Sequence, residues 1–463
     1  MNIFNDTIAA IATPPGISAL GVIRISGDNS LEIFKKLFKP SKNIKSHYMY
    51  YGNIIFNNEI IDEVMACCML KPNSYTAEDS VEIYAHGGTA TLYGILDAIL
   101  QTGARIALPG EFTKRAFLNG RLNLTQAEAV MDLIASTNEI SRRTSLNQLK
   151  NSLAKKISDI RDVLLEQIAN IELSIDYPEH EEEAKNREAI LESSTSILDT
   201  MESLYKTYDY GRIIKEGIKT AIIGLPNVGK STLINAILDK DRAIVHETPG
   251  TTRDIVSEHV QIGEFSFVLM DTAGLRETDN PVESIGVEKS KQAAEEADLI
   301  LYIISLTDSE NEEDIISKLQ HKPMIIIYNK VDARCTSRSC GLCNGVKANC
   351  VINKIETPIY ISAKNRQGLE SLYDAMEKQA KEISGIANIN KELEIITNKR
   401  HKQLLGIAIE HVKKAVHDFK SYIPEDLVSI DLMSAYTALG EILGEEVKDD
   451  LIDMIFSRFC VGK

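Results

Sequence analysis

Residues 224 to 231 read Gly-Leu-Pro-Asn-Val-Gly-Lys-Ser, and a Gly-x-x-x-x-Gly-Lys-Ser run is a loop built to hold the phosphates of a nucleotide. The glycines let backbone N–H groups curl around an anion at the start of a helix. Lys230 would then reach the β and γ phosphates, and Ser231 would ligate Mg²⁺. Lys219 to Ile223 predicts a short buried strand before the loop, and the apolar spacing from Thr232 to Leu238 predicts a helix after it. Asn227, Val228, Gly229 and Thr232 complete the expected nucleotide contacts of this loop.

Three later motifs select the base and complete the phosphate site. Asp271, Thr272, Ala273 and Gly274 follow an apolar strand pattern from Phe265 to Met270, placing a carboxylate near the magnesium shell and a glycine N–H near the γ phosphate. Asn329, Lys330 and Asp332 end the strand pattern Met324 to Tyr328, and Ser362, Ala363 and Lys364 end the pattern Ile359 to Ile361. Asp332 can accept from the N1–H and exocyclic amine that guanine offers and adenine does not, so the expected nucleotide is GTP. Between these motifs, Pro249, Gly250, Thr251, Thr252, Arg253 and Asp254 lie where a switch loop would close over the γ phosphate, with Thr252 as a second hydroxyl ligand of Mg²⁺. Many small GTPases orient the attacking water with a glutamine after the Asp-x-x-Gly glycine. Here that residue is Leu275, so another polar side chain must approach, and Arg276, Glu277, Glu283 and Glu288 are candidates.

The chain around these motifs has 463 residues, 44% of them hydrophobic, enough for about three domains. Its 51 Lys and Arg against 67 Asp and Glu leave a net charge of −16, which argues against wrapping nucleic acid with an extended basic surface. The first residues lack the basic start and apolar run of a secretory leader, and no stretch approaches the ~20 apolar residues of a membrane span. A cytoplasmic location without membrane association is the expectation. Seven cysteines, an odd number, do not suggest a disulfide framework.

Residues 1 to 120 mix short apolar runs (Leu20 to Ile25, Val64 to Leu70, Ser80 to Tyr84) with Gly and Pro, predicting an α+β domain. From 121 to 216 the pattern turns helical. Thr125-Gln-Ala-Glu128 fits a capping box, and Leu146, Leu149, Leu153, Ile157, Ile160, Leu164, Ile168, Ile171 and Ile175 form the stripe of one long helix stopped by Tyr177-Pro178. The acidic run Glu179 to Glu183 reads as a solvated helix start. An α/β P-loop domain spans 217 to 379, and helical character returns from 380 to 463, so the GTPase is expected to be inserted into an all-α domain. The fold class is multidomain.

The Asn227-containing loop, the Gly-Thr-Thr-Arg-Asp switch, the run from Asp271 through Val282-Glu283-Ser-Ile-Gly286, and the terminal Phe459-Cys460-Val461-Gly462-Lys463 resemble the MnmE/TrmE family of tRNA-modifying GTPases. The likeness extends over the chain, through Ala-Thr-Pro-Pro-Gly16, Arg24-Ile-Ser-Gly27, Asn73-Ser-Tyr-Thr76, His86-Gly-Gly88 and Pro109 to Gly120. The resemblance implies a homodimer whose amino-terminal domains bind 5-formyltetrahydrofolate or a related tetrahydrofolate. It also implies a flavin-dependent MnmG-type partner in a heterotetramer, with a carboxymethylaminomethyl-type group added to carbon 5 of the wobble uridine of certain tRNAs.

Carried onto this sequence, Asn227 would coordinate K⁺ together with His246, Thr248 and Thr251. Glu247, Pro249 and Gly250 would join the GTP contacts. A monovalent cation against the phosphates would neutralise developing charge as an arginine finger does. Glu283 matches the family's catalytic glutamate. Arg24, Glu82, Arg121 and Lys463 match the folate positions, with Arg121 in place of a lysine and Asn123 in place of an aspartate. Cys460 is open between a buried packing thiol, set one turn before the end of a helix, and a thiol used in the one-carbon chemistry.

The resemblance does not explain an apparent insertion at 333 to 357. It carries Cys335, Cys340, Cys343 and Cys350, with a glycine two residues beyond Cys343, and no acidic residue from 333 to 350. Four thiolates could close a tetrahedral Zn²⁺ site or hold an iron–sulfur cluster; a reduced loop with reactive thiols is the alternative. A different function class, a regulatory or ribosome-assembly GTPase switch on this scaffold, is separated by the carboxyl-terminal tail: an end at Gly462 to Lys463 packed between two amino-terminal domains favours the enzyme, a dangling one favours the switch.

Overall fold

Strands in this chain alternate apolar and polar residues, and its helices carry apolar stripes. The computed structural model describes residues 6–14, 16–40, 44–176, 183–238, 257–271, 293–306, 316, 319, 321–334, 358–385, 394–445 and 447–462. By contact the chain divides into two units, one made of 1–134, 146–199 and 403–463, the other of 135–145 and 200–402.

The first unit contains a seven-stranded sheet. Its strands are β1 (Ile8–Ile11), β2 (Ser18–Ser26), β3 (Phe38–Lys39), β4 (Tyr48–Phe56), β5 (Glu59–Met69), β6 (Ser80–Gly87) and β7 (Arg105–Ile106). They lie in the order β3-β4-β5-β6-β2-β1-β7, and every neighbouring pair is antiparallel except β1 with β7. Asn57 and Asn58 both adopt positive φ, the geometry a two-residue hairpin turn between β4 and β5 requires. Along β6, Val81, Ile83 and Ala85 are buried while Glu82 and Tyr84 alternate to the opposite face. The buried face packs on helices Ser30–Leu37 and Thr89–Gln101 through Ile33, Phe34, Leu92, Ile95 and Ile99.

The helical segments depart from expectation at two places. The apolar stripe does not run through one helix: Asn151, at φ 71, separates helix Glu139–Leu149 from helix Ser152–Asp176. Leu153, Ile157, Ile160, Leu164, Ile168 and Ile171 are buried as predicted, but Ile175 is 48% exposed. The capping box is also displaced by two residues. Asn123 Oδ1 accepts from Gln126 N at 2.8 Å while Asn123 N donates to Gln126 Oε1 at 3.1 Å, so the pair 123/126 caps helix Leu124–Ala135 and Thr125 lies inside it.

Carboxyl-terminal helices Lys399–Lys420, Glu425–Leu443 and Asp449–Phe456 follow. Asp431, almost buried, accepts from His411 Nδ1 at 3.0 Å and pairs with Lys414 Nζ at 2.9 Å, tying the first two of these helices together.

The second unit is built on a six-stranded sheet of β8 (Ile218–Ile223), β9 (Ser257–Ile262), β10 (Phe265–Asp271), β11 (Leu299–Ser305), β12 (Met324–Asn329) and β13 (Ile359–Tyr360). The order is β13-β12-β11-β8-β10-β9, parallel except for β9 against β10. Continuous apolar runs such as Leu299 to Ile304 suit strands covered on both faces, and two core clusters lie against this sheet. Strand order reverses around β8, and in open α/β sheets ligands bind beside the carboxyl ends of the strands at such a point. The molecule is thus an α+β sheet domain and helical segments with an α/β P-loop domain inserted among them. No helix among the described residues is long and apolar enough to cross a membrane.

Burial pushes the Asp431 carboxyl up, but Lys414 and then His411 more than offset it, leaving the group below its ordinary value. A carboxylate lowered in the folded state stabilises fully above the unfolded value of about 3.9 and loses that contribution as pH falls through the folded value. Asp431→Asn should therefore cost about 2 kcal/mol at pH 7 and progressively less on acidification below pH 4. Chemical denaturation of both proteins across that range checks it; a cost that is the same at every pH would contradict it.

Candidate functional site

The nucleotide-type site forms where three strand ends meet. Residues 224–229 connect β8 to helix Lys230–Leu238, so the helix begins at the lysine itself. Asn227 and Gly229 have positive φ (64° and 99°), which curls the loop. A Cβ on Gly229 would fall 2.4 Å from Asn329 Nδ2, and one on Gly224 would fall 2.4 Å from the carbonyl oxygen of Ile303. Close approach therefore demands both glycines, and at Gly229 conformation does so as well. Val228, 2% exposed, anchors the loop in the core, while Asn227 at its crest is exposed. Lys230 Nζ donates to the carbonyls of Gly224 and Leu225, each at 2.9 Å, which holds a cation across the mouth of the loop.

Asn329 at the end of β12 unites this loop with the segments at 329–332 and 362–364. Its Nδ2 donates to Val228 O at 2.9 Å, and its Oδ1 accepts from Ala363 N at 3.0 Å. Ser362 Oγ donates to Asp332 Oδ1 at 2.6 Å and accepts from Asn365 N at 3.2 Å. The Ser362 hydroxyl, then the backbone N–H of Asp332 itself and the charge of Lys364, hold the Asp332 carboxyl below its ordinary value. It is thus a carboxylate at neutral pH, an acceptor of hydrogen bonds only. A cleft of about 510 Å³ beside the site is lined by Thr232, Asn235, Lys364 and Arg366, among others.

The structure thereby brings together Asn227, Val228, Gly229, Lys230, Ser231 and Thr232 with Asn329, Lys330, Asp332, Ser362, Ala363 and Lys364. Asp271 ends β10 beside β8, in register with Ile222. His246 through Thr252, Thr272 to Gly274 and Glu283 lie outside the described residues, as do Lys463 and the cysteines at 335, 340, 343 and 350. Among the described residues no group of three His, Cys, Asp or Glu side chains could hold a metal ion.

Of the positions expected to meet folate, Arg24 and Glu82 lie side by side on the first sheet's other face, and Arg121 follows helix Glu111–Leu118. Register places Cys67, Glu82 and Arg24 in one row across β5, β6 and β2. Arg24 Nε donates to Glu82 Oε1 at 2.9 Å, its second terminal nitrogen lies 2.8 Å from the same oxygen, and its first donates to Gly462 O at 3.3 Å. Tyr84 donates to Glu82 Oε2 at 2.7 Å, and burial followed by this carboxylate pushes the phenol up to about 12. The carboxyl-terminal tail is docked rather than free. Gly462 is buried at φ 94, where a Cβ would fall 2.7 Å from Ile11 O, and Gly110 N donates to Cys460 O at 3.4 Å. Cys460 itself is exposed and lies beyond helix Asp449–Phe456, so neither a packing thiol nor a position inside the helix describes it. Asn123, with its helix-capping bonds, also contacts Asn151 rather than the Arg24 cluster.

Sequence alone does not mark Tyr84, bonded to Glu82, or Tyr75, whose ring lies under the Arg24 and Arg121 guanidiniums, as neighbours of this cluster. Their signal is weak because each is an ordinary aromatic until the register and the 71–79 loop place it.

A family model described as the MnmE helical domain matches residues 124–460, and one described as the GTP-binding protein TrmE N-terminus matches residues 7–121. Proteins named tRNA modification GTPase MnmE from Acetivibrio thermocellus and Clostridioides difficile (strain 630) are each 42% identical to this chain, over 471 and 466 residues. A protein of the same name from Shouchella clausii (strain KSM-K16) is 41% identical over 468 residues. All three alignments cover 99% of this chain and 99% of the relative.

Replacing Asn329 by Ala would strand the Ala363 N–H and the Val228 carbonyl, both at a buried position. The expected cost is about 2 to 3 kcal/mol of domain stability and at least a tenfold loss of GTP affinity. Thermal melting and titration calorimetry read the two effects, and a variant that melts and binds like the wild type would refute the bracing role.

Proposed function

The chain belongs to the MnmE family of tRNA modification GTPases, and from that membership we propose that it hydrolyses GTP in the modification of tRNA, adding a carboxymethylaminomethyl-type group to carbon 5 of certain wobble uridines. In this reading it works in the cytoplasm as a homodimer with a flavin-dependent MnmG-type partner and takes its one-carbon unit from 5-formyltetrahydrofolate or a related tetrahydrofolate. The domains divide at 1–120, 121–216, 217–379 and 380–463. The observation that carries the enzyme reading over a plain GTPase switch is the docked tail: Gly462 is buried and its carbonyl accepts from Arg24, beside Glu82.

At the nucleotide site, Ser231 and Thr252 would hold Mg²⁺, and Asn227, with carbonyls from His246 to Thr251, would hold K⁺. Magnesium and potassium supply positive charge against the phosphates. The residues around them suit that role, since Asn227 is exposed at the loop crest and Lys230 is already drawn over the loop carbonyls. Glu283 orients water because Leu275 cannot. Arg24, Glu82, Arg121 and Lys463 bind the folate, whose pterin brings donors for a carboxylate and whose tail brings anions for a base. Cys460, being exposed, is available to that chemistry.

The insertion is proposed to bind metal through Cys335, Cys340, Cys343 and Cys350, as Zn²⁺ or an iron–sulfur cluster, because four thiols so close in sequence and without a ligand would be prone to oxidation. Elemental analysis of anaerobically purified protein should find metal that is absent when all four are changed to Ser; a metal-free wild type would contradict the site.

The test of function is mass spectrometry of wobble uridines from cells lacking this chain. The group should disappear and return with the wild-type gene but not with Glu283→Ala, whose GTP hydrolysis should fall at least a hundredfold. Wild-type hydrolysis should also be faster in K⁺ than in Na⁺. Unaltered uridines in the deletion would overturn the tRNA reading, and equal rates in the two salts would overturn the potassium site alone.

A further inference from the structure

The Asn73-Ser-Tyr-Thr76 stretch plays no part in the proposed chemistry, yet a buried polar network holds it still. Thr76 Oγ1 lies 2.6 Å from Ser26 Oγ, which donates to Glu78 Oε2 at 2.8 Å. Glu78 in turn accepts from Arg115 Nη1 at 3.3 Å, and Arg115 is fully buried and also bonded to Glu111. Asn119 Nδ2 donates to Thr76 O at 2.8 Å. Polar groups buried and bonded to one another in this way favour one arrangement, because a displacement would break several of these bonds at once.

The residue so fixed is Tyr75, half-buried, with its hydroxyl 2.9 Å from Thr113 Oγ1. Two guanidiniums lie over its ring, those of Arg24 and Arg121, each with Cζ 5.0 Å from the ring centroid. That is within the range of a cation–π contact and sets a limit on how far apart the two cations can move. Their circumstances differ. Arg24 is 13% exposed in its side chain, neutralised by Glu82, bonded to Gly462 O and lodged over Phe112 as well. Arg121 is exposed and, among the described residues, meets no carboxylate; its bond to Tyr75 O at 2.9 Å and its contact with the same ring hold it.

We propose that Tyr75 is a positioning residue of the folate-type site, holding the Arg121 guanidinium beside the Arg24–Glu82 pair so that a ligand with donors at one end and a carboxylate at the other meets both. The inference rests on the folate reading and deepens it by assigning the ligand's anionic end to Arg121. Because Arg24 and Glu82 cancel, Arg121 carries the net positive charge of the trio. A long side chain in water would otherwise spread that charge over many rotamers, and fixing it on the ring lowers the ordering cost of binding.

The test is calorimetric titration of the full-length protein with 5-formyltetrahydrofolate, using wild type, Tyr75→Phe, Tyr75→Leu, Arg121→Gln and the Leu/Gln double variant. Tyr75→Phe keeps the ring and should bind within about twofold of wild type, whereas Tyr75→Leu and Arg121→Gln should each weaken binding about tenfold. If Tyr75 acts through Arg121, the double variant binds no more weakly than either single one, a coupling that general loosening of the loop would not produce. Should Tyr75→Leu melt well below wild type, Tyr75→Met takes its place in the cycle. Equal binding by Tyr75→Leu, or fully additive losses, would overturn the role of Tyr75 while leaving the folate reading intact. Failure of the wild type to bind would overturn the folate reading and the proposal with it.

Discussion

One carboxamide, that of Asn329, makes a single site out of segments that are remote in sequence. Its donor end satisfies a carbonyl of the phosphate loop and its acceptor end satisfies an N–H of the Ser362–Lys364 segment. Both ends are used at a position only 3% exposed, so the geometry of the Gly224–Lys230 loop and that of the 362–364 segment are not independent. The carbonyl–amide polarity explains why this position takes an amide: a carboxylate would lose the donor and an apolar residue would lose both bonds. The tight approach of Gly229 to the same nitrogen closes the arrangement from the other side.

The first unit uses a different device. Its site depends on a glycine near the chain's end, because Gly462 must pass close to Ile11 and Ala12 for its carbonyl to meet Arg24. Upstream, Gly110 allows the backbone to come within contact of Phe456 and Phe459, whose rings pack with Leu124 and Ile452. The terminal helix is therefore anchored by apolar burial, and the few residues after it are steered by backbone fit. The Gly462 carbonyl takes one donor of Arg24, whose other nitrogens meet Glu82, and Lys114 pairs with Asp453 of the helix, so polar contacts add to the apolar anchoring.

What can be read in the sequence follows from how local each cause is. The phosphate loop is legible because its glycines, lysine and serine are contiguous, and the strands β8, β10 and β12 because their apolar runs end at those motifs. The capping box is ambiguous because Asn123-Leu-Thr-Gln126 and Thr125-Gln-Ala-Glu128 both fit the same spacing, and only the backbone decides between them. The long stripe hides a break because apolar periodicity continues across Asn151 although the backbone there is left-handed. Tyr75 is illegible for a different reason: Arg24, Tyr75 and Arg121 come from three separate elements, so no window of sequence contains their relation.

The polar row on the amino-terminal sheet nonetheless has a cause that reaches down to composition. Ile23 and Ile25 on β2 and Val81 and Ile83 on β6 are fully buried, so period-two alternation obliges Arg24 and Glu82 to face the other way. A slip of one residue in the pairing would put those isoleucines on the open face and two charges in the core, at a cost of about several kcal/mol for each uncompensated group. The observed pairing of Arg24 with Glu82 and of Glu82 with Cys67 is thus enforced by residues that never touch a ligand. Residues as distant as 24, 67 and 82 are brought into line by the same apolar pattern that folds the sheet. The geometry of the Arg24–Glu82 pair consequently carries the stability of the core behind it, and disturbing the pair would not by itself shift the strands that hold it.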